Sequence, residues 1–413
     1  MVSDVLIMEV QSLIIEPGHA EPTLVLPVTG NFTPQQIATA YNIPNNSGLG
    51  VKIGIISYGG GWLQSDIDKS MADLGLPSPT IKQVLLNGAT NNFNMNDGNY
   101  SLENTLDIFC VAGMVPAADI TIYIGNNSVN LFNRAIDDGC DVITHSWAYS
   151  ESSGDFLATV LYKAAINNVT VLTGSGDWGS TNTSHTLKGV CYPASSANII
   201  AVGGTTLTLN PDGSRKTETG NSDSGGGISS IVPAPIWQQG LTYKTYNSST
   251  KTYGPVTALT TRGVPDISAP YTAYAFYANG VVQVGVGGTS ASTPIMAGMI
   301  ARFISLNGRR PRWMLPTFYQ NQTSAFTNIS DGNNASHNTE GYAVTTGWDA
   351  VTGLGAPIGQ TLYSKLRNPP LGAVKNSAGE WAPIKGVYAK FANGWWPIKD
   401  VWVKTSSGWQ RPN

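Results

Sequence analysis

The sequence is short of charge, of cysteine and of histidine. Across 413 residues only 12% are Asp, Glu, Lys or Arg, about half the usual quarter. The net charge of -3 provides no basic surface, which argues against a nucleic-acid partner. A low charge density also suits work in acid, because it limits self-repulsion once carboxylates are protonated. Cys110, Cys140 and Cys191 sit singly in apolar segments, odd in number and without C-x-x-C spacing. That excludes a disulfide framework or a thiolate zinc site and leaves small buried hydrophobes. No run reaches the roughly 18 apolar residues of a membrane-spanning helix, so no membrane insertion is expected. The opening MVSDVLIMEVQSLIIEP lacks a basic region ahead of an apolar core and does not read as a signal peptide. Synthesis in a cytosol is expected, with any export by another route.

What is present falls into three regions. Residues 1–30 form an apolar, strand-like lead ending in EPTLVLPVTG, residues 31–367 alternate strand and helix patterns, and residues 368–413 are rich in Trp, Lys and Gly. In the middle region VKIGIISYG (51–59), DITIYIG (119–125), CDVITHSW (140–147), VTVLTGSG (169–176) and NIIAVGG (198–204) read as apolar strands. Between several of them lie the helical patterns LQSDIDKSMADLGL, SLENTLDIFCVAG, NLFNRAIDDG and GDFLATVLYKAAINN. Such alternation predicts an α/β fold, a doubly wound and mostly parallel sheet with helices on both faces. Its functional site is expected at the carboxyl ends of the strands, where SYGGGW, HSWAYSE and GSGDWGS fall.

The last region repeats with a period of 14: WAPIKGVYAK (381–390) aligns with WPIKDVWVK (396–404), and Trp381, Trp395 and Trp409 share the step. Its alternating residues and its N-G and S-G turns predict short antiparallel strands, a small β-repeat module. A unit of that size buries little by itself and is expected to pack on a neighbour or another chain.

Three elements carry candidate chemistry. In GVGGTSASTPIMAGMIARFISL (285–306) a glycine-rich turn enters a long apolar helix, with Pro294 expected in its first turn. Ser290 would stand at the helix start, where unpaired N–H groups can stabilise an oxyanion; it could equally cap an ordinary buried helix. In SLENTLDIFCVAG, Glu103 and Asp107 lie four apart and share one helix face. Two carboxylates in a partly dry site do not both ionise easily, so at least one pKa should rise, giving a general base and a partner that orients it. A solvated acidic face is the plainer alternative. Asp177 in GSGDWGS closes a strand in a glycine-rich turn; it is either a turn former or, while protonated, a donor to an oxyanion. A histidine triad fits poorly. His145 lies in a strand that reads as buried, and His19, His185 and His337 fall in loops or in the lead.

Together these pieces resemble the sedolisins, serine-carboxyl peptidases with a subtilisin-like fold. NFTPQQIATAYNIP, GIISYGGGW, E-N-T-L-D, GSGDWGS, VCYPASSANIIAVGGTTL, RGVPDISA, GGTSASTPIMAG and GWDAVTGLGAP follow in the family's order across roughly residues 31–365. The resemblance implies Ser290 as nucleophile, Glu103 as general base, Asp107 as its supporting carboxylate and Asp177 as the oxyanion-hole acid. It implies substrate contacts at Ser146, Trp147 and Ala148 and at Gly174 and Gly176. It also implies one structural Ca2+, with Asn328, Ile329, Thr345, Gly347 and Asp349 supplying oxygens. Asn328 stands where the family has aspartate, so a retained but weaker site is expected; an ion-free loop locked by hydrogen bonds is the alternative.

Ser57 stands where some relatives have a glutamate. Ala148 replaces the glycine of the usual S-W-G edge, which would set a side chain near the backbone that pairs with substrate. The family normally carries a long folding prodomain, and only about 30 residues precede the match. The tail units W-x-P-I-K-x-V-[YW]-x-K resemble small β-modules of phage virion and tail proteins, which implies a place on a virion and partners there for residues 1–30 and 368–413. A secreted enzyme with a surface-binding appendage is the alternative. The expected function is an acid-favouring serine endopeptidase acting on peptide or protein substrates. The rival is a virion protein that keeps the peptidase fold only as a scaffold.

Overall fold

The computed structural model describes residues 6–7, 26–151, 154–183, 187–337 and 340–367, and six tail segments: 373–375, 381–383, 388–391, 394–397, 403–405 and 408–410. The chain divides into two compact units, Met1–Tyr363 and Ser364–Asn413.

The first unit is built on an eight-stranded sheet. Its strands are β2 (Lys52–Ser57), β3 (Lys82–Leu85), β4 (Asp119–Ile124), β5 (Val142–His145), β7 (Thr170–Gly174), β9 (Ile200–Leu209) and β10 (Arg215–Gly220), with Ile267–Pro270 beside β9. The order is β10-β9-β7-β5-β2-β4-β3. Every pairing is parallel except β10 on β9. Ile53–Ile56 lie between Ile120–Tyr123 on one side and Val142–His145 on the other. These β-branched runs are buried on both faces, as a parallel sheet covered by helices requires. The strands and helices read from the sequence appear in that order, with helices α2 (Gln64–Asp73), α3 (Tyr100–Met114), α4 (Ser128–Asp137) and α5 (Ala158–Ile166) between strands. Ahead of them stand β1 (Leu6–Ile7) and α1 (Pro34–Ala40). The short strands β6 (Trp147–Ser150) and β8 (Cys191–Tyr192) pair with each other outside the main sheet.

Two central helices carry the site. In α3 every residue from Ser101 to Met114 is buried, so each large side chain such as Ile108 or Phe109 contributes about 1.5–3 kcal/mol. The second helix, α6 (Thr289–Asn307), is buried from Thr289 to Ile304. Gly298 lets it approach the end of α3, because a Cβ there would collide with Met114. Arg302 then donates from Nε to the Met114 carbonyl at 2.8 Å, filling one of the acceptors that a helix end leaves open. Pro294 is the sixth residue of α6, not part of its first turn as the sequence suggested. The helix starts one residue before Ser290, so proline removes the N–H that would bond the Ser290 carbonyl.

The second unit shows three two-stranded antiparallel hairpins among its described residues: 373–375 with 381–383, 388–391 with 394–397, and 403–405 with 408–410. One register recurs in all three, Lys375 opposite Trp381, Lys390 opposite Trp395 and Lys404 opposite Trp409. The sequence alignment recovered two copies because the first strand, AVK, is short and shares only its lysine, and Val374 with Val403, with its counterparts. Most of the residues that carried the alignment, from Ile384 to Val387 and from Ile398 to Val401, lie outside the described residues.

Candidate active site

Ser290 is the second residue of α6, after the N-cap Gly288 and the first helical residue Thr289. Gly288 adopts φ +119°, a conformation that disfavours any residue with a Cβ. A Cβ on it would lie 3.0 Å from Asp177 Oδ2 and 3.5 Å from the Ser290 N. The missing side chain therefore leaves a small space bordered by a carboxyl oxygen and a helix-start N–H.

Asp177, in the turn after β7, is aimed by Thr289. Its Oδ1 accepts the Thr289 N–H at 2.8 Å and the Thr289 hydroxyl at 3.0 Å, while Oδ2 is buried and has no hydrogen bond. Burial pushes the Asp177 carboxyl up to about 7, against the opposing bonds from Thr289 and the influence of the nearby Tyr271 hydroxyl. The acid is thus largely protonated below neutrality, with its free oxygen on the Gly288 space.

Glu103 and Asp107 come from the first and second turns of α3 and are both buried. Burial lifts Glu103 well above the ordinary carboxylate range, the Asp107 charge adds to the rise, and the nearby Ser290 hydroxyl opposes it. Neither Glu103 oxygen, nor Ser290 Oγ, meets hydrogen-bond geometry with any described group. Such bonds are often long in a free site and tighten when the reacting partner binds. Asp107 is also raised by burial, opposed by Ser146. Ser146 Oγ donates to Asp107 Oδ1 at 2.8 Å and lies 3.5 Å from the Ser290 carbonyl that Pro294 leaves without an N–H. One hydroxyl therefore joins the carboxylate helix to the serine helix. Asn104 fixes α3 to the loop after β2, donating to the carbonyls of Gly59 at 2.9 Å and Gly61 at 3.3 Å.

The structure thus gathers Ser290, Glu103, Asp107 and Asp177 into one buried site. Ser146 belongs to it directly, and Gly176 donates its N–H to Thr289 Oγ1 at 3.2 Å. Gly174 ends β7 two residues before. Trp147 stacks on Tyr100 with ring centroids 5.0 Å apart. The Ala148 methyl packs into a buried cluster with Trp178 and Cys191. Ser57 turns to its own loop, donating to the Gly59 carbonyl at 3.1 Å. His145 lies between the Tyr58 hydroxyl at 3.1 Å and Thr173 Oγ1 at 3.0 Å, and burial lowers its pKa to about 3. His19 and His185 lie outside the described residues. Thr289 and Gly288 were not singled out from the sequence; the glycine pair before T-S was the available signal.

The residues expected to hold calcium form a second locus. The Gly347 N–H bonds Asn328 Oδ1 at 2.7 Å, and the Thr345 N–H lies 3.3 Å from Asp349 Oδ2. Ile329 is beside them, its carbonyl 3.4 Å from the Asn328 amide nitrogen. Asp349 is buried with no cationic partner among the described residues, and burial pushes it up to about 7. No cluster of three or more His, Cys, Asp or Glu side chains suited to a metal occurs among the described residues. Asp349 Oδ1 also accepts the Val351 and Thr352 N–H groups at 2.9 and 2.8 Å, so a hard cation, which takes oxygen ligands, would have to share the carboxylate with these donors.

A mostly parallel sheet with a serine at the start of a buried central helix is the architecture of subtilisin-like proteins. The chain belongs to the subtilase family, whose profile matches residues 76–342, and its fold is that of the sedolisins. Kumamolisin of Bacillus sp. is 32% identical over 359 residues, covering 81% of this chain and 63% of that protein. Sedolisin of Pseudomonas sp. is 28% identical over 372 residues, covering 82% and 61%. Human tripeptidyl-peptidase 1 is 31% identical over 277 residues, covering 62% and 47%. The solved structure of Pseudomonas sedolisin complexed with two molecules of pseudo-iodotyrostatin superposes with a TM-score of 0.68 at 25% identity, covering 82% of this chain and 98% of that one. The chain therefore spans less than two thirds of the length of these curated relatives.

Proposed function

We propose that this protein is a serine-carboxyl endopeptidase that cleaves peptide bonds through an acyl-enzyme and works best in acid. The observation that carries the reading is the space left by Gly288, bordered by Asp177 Oδ2 and the Ser290 N. A carbonyl oxygen that becomes negative there meets two donors, provided Asp177 is protonated. Glu103, buried and without other partners, takes the Ser290 proton as Oγ bonds to the substrate carbonyl carbon. Glu103 then returns that proton to the leaving amine, and the ester is hydrolysed by water activated by the same carboxylate. Asp107, held by Ser146, raises the proton affinity of Glu103, which acts as base in its ionised form.

Calcium, which likeness to the sedolisins implies, would be held by Asn328, Ile329, Thr345, Gly347 and Asp349. It would supply a counter-charge to Asp349 and stiffen these loops; no step of catalysis runs through it. The likeness of the tail units to phage β-modules supports a place on a virion, with residues 1–30 and 368–413 as the attachment regions. Purified particles carrying the chain in fixed stoichiometry would support that location, and its absence from them would exclude it.

The test of the activity is Ser290→Ala, expected to abolish cleavage of an unfolded protein in acid. An aldehyde or fluorophosphonate probe should label Ser290 in the unaltered chain. Unchanged cleavage by the variant would sink the assignment. Absence of labelling from acid to neutral pH would favour the scaffold reading of the same fold.

A further inference from the structure

The end of β5 serves both faces of the main sheet. Successive residues of a strand turn to opposite faces, and His145 and Ser146 divide between them. Ile143, on the His145 side, packs in a cluster with Phe132 of α4 and Leu161 of α5, and the Phe132 ring stands 5.3 Å from the imidazole. Ser146 instead bonds Asp107 of α3 and approaches the Ser290 carbonyl of α6.

Ser146 falls where the ladder stops. His145 is the last residue of β5, paired with Ile56 and Thr173, and Trp147 opens β6 outside the main sheet. Ser146 has no strand partner among the described residues. Side chains of its two neighbours hold this junction. The His145 ring lies 3.1 Å from the Tyr58 hydroxyl and 3.0 Å from Thr173 Oγ1, one contact at each nitrogen. Trp147 donates from Nε1 to the Ile56 carbonyl at 3.1 Å. Tyr58 follows β2 and Thr173 belongs to β7, so the imidazole ties the end of β5 to the strands on either side of it.

A buried polar group returns little net stability over an apolar one of the same shape. What a fully satisfied buried network contributes is one defined arrangement. His145 is wholly buried with both nitrogens occupied. Burial lowers its pKa to about 3, so in acid the ring stays neutral and can donate from one nitrogen while accepting at the other.

We propose that His145 is a positioning residue: bonded to Tyr58 and Thr173 on one face of the sheet, it fixes the strand end from which Ser146 reaches Asp107 on the other. The proposal rests on the peptidase reading above and extends its machinery through the sheet. His145 touches no reacting atom and acts only through Ser146.

The experiment is a double-mutant cycle in the full chain. His145→Phe keeps a ring and removes both bonds; it should lower kcat roughly fivefold with KM unchanged. In a Ser146→Ala background the same substitution should cost nothing further, because the group it acts through is gone. Equal kcat with and without the imidazole overturns the proposal, and so does an equal loss in both backgrounds. Should His145→Phe fail to fold, Tyr58→Phe and Thr173→Val remove one bond each and carry the same comparison, with a loss of roughly threefold apiece expected. Unchanged kcat in both would be as damaging. Titration of the Asp107 carboxyl by carbon-13 NMR separates this idea from the peptidase reading, since it needs no turnover. The Ser146 bond lowers the Asp107 pKa, so His145→Phe should raise it in the Ser146 chain and leave it alone in the alanine background. That result supports the positioning role even if no peptide is ever cleaved, an outcome that removes the peptidase reading alone. An Asp107 titration indifferent to His145 removes the positioning role whatever the activity.

Discussion

The Ser290 carbonyl stands four residues before Pro294, which has no N–H to give it, and the Ser146 hydroxyl lies 3.5 Å away instead. The same hydroxyl donates to Asp107 at 2.8 Å. A break in one helix is thereby turned into a tie between the helix that carries the serine and the helix that carries the carboxylates. Ser146→Ala should cost about 1–3 kcal/mol of stability, because it leaves a buried carboxylate unpaired. It should also lower kcat roughly tenfold with little change in KM. Ser146→Thr, which keeps the hydroxyl, should recover most of the rate. Steady-state kinetics with denaturant melts read both effects, and a full-rate alanine variant would show the tie to be idle.

Gly288 is the position where one methyl should silence the site. Gly288→Ala places a Cβ 3.0 Å from Asp177 Oδ2 at φ +119°. The strain costs about 1–3 kcal/mol, and filling the space should lower kcat by about 10²–10³-fold. Equal kcat in the two proteins would mean that the developing charge is stabilised elsewhere.

Asp177 should set the alkaline limit of the proposed activity. Its carboxyl is raised to about 7 by burial, and it donates only while protonated, so kcat should fall as pH rises through that value. Asp177→Asn keeps a donor at every pH. It should retain partial activity and move the fall to higher pH; an identical pH profile would show that another group sets the limit.

Stability should follow pH in the same direction. Glu103, Asp107 and Asp177 all have carboxyls raised by burial. A group whose folded pKa exceeds its unfolded value stabilises fully below the unfolded value, near 4 for carboxyls, and loses that contribution as pH climbs through the folded one. Calorimetry across this window should show Tm falling by several degrees as pH rises from about 4 to about 7. Asp177→Asn should flatten the slope. A Tm that rises with pH over the window contradicts the assignment of these groups.

Calcium should matter modestly. Chelation should lower Tm by a few degrees, and Asn328→Asp, by adding a second carboxylate beside Asp349, should enlarge both the metal affinity and the chelator effect. A Tm indifferent to chelator in both proteins would identify the loop as one held by hydrogen bonds such as Asn328 to Gly347.

The sheet was legible because its strands are continuous β-branched runs and its helices keep a 3.6-residue period. The two carboxylates were legible because a spacing of four fixes their shared face whatever surrounds the helix. What escaped depends on contacts between distant segments. Thr289 aims Asp177 across 112 positions of sequence, and Ser146 reaches Asp107 across 39. Pro294 was placed a turn too early because the G-G-T-S stretch does not say which residue opens the helix. The inward methyl of Ala148 depends on Trp178 and Cys191, neither of them local to it. The lysine-to-tryptophan register of the tail was half visible: the tryptophan step was plain, while the first hairpin needed its backbone pairing.

Every residue of α3 from Ser101 to Met114 is shielded from solvent, which gives this chain an all-or-none character. On the proposed reading the base sits on this buried helix, which cannot loosen while the protein goes on working, so inactivation and global unfolding should share one midpoint. The helix that bears Glu103 would also be closed to attack by neighbouring copies of the protein. Wear by self-digestion should begin elsewhere, on exposed connections, and leave the centre intact until the whole fold gives way.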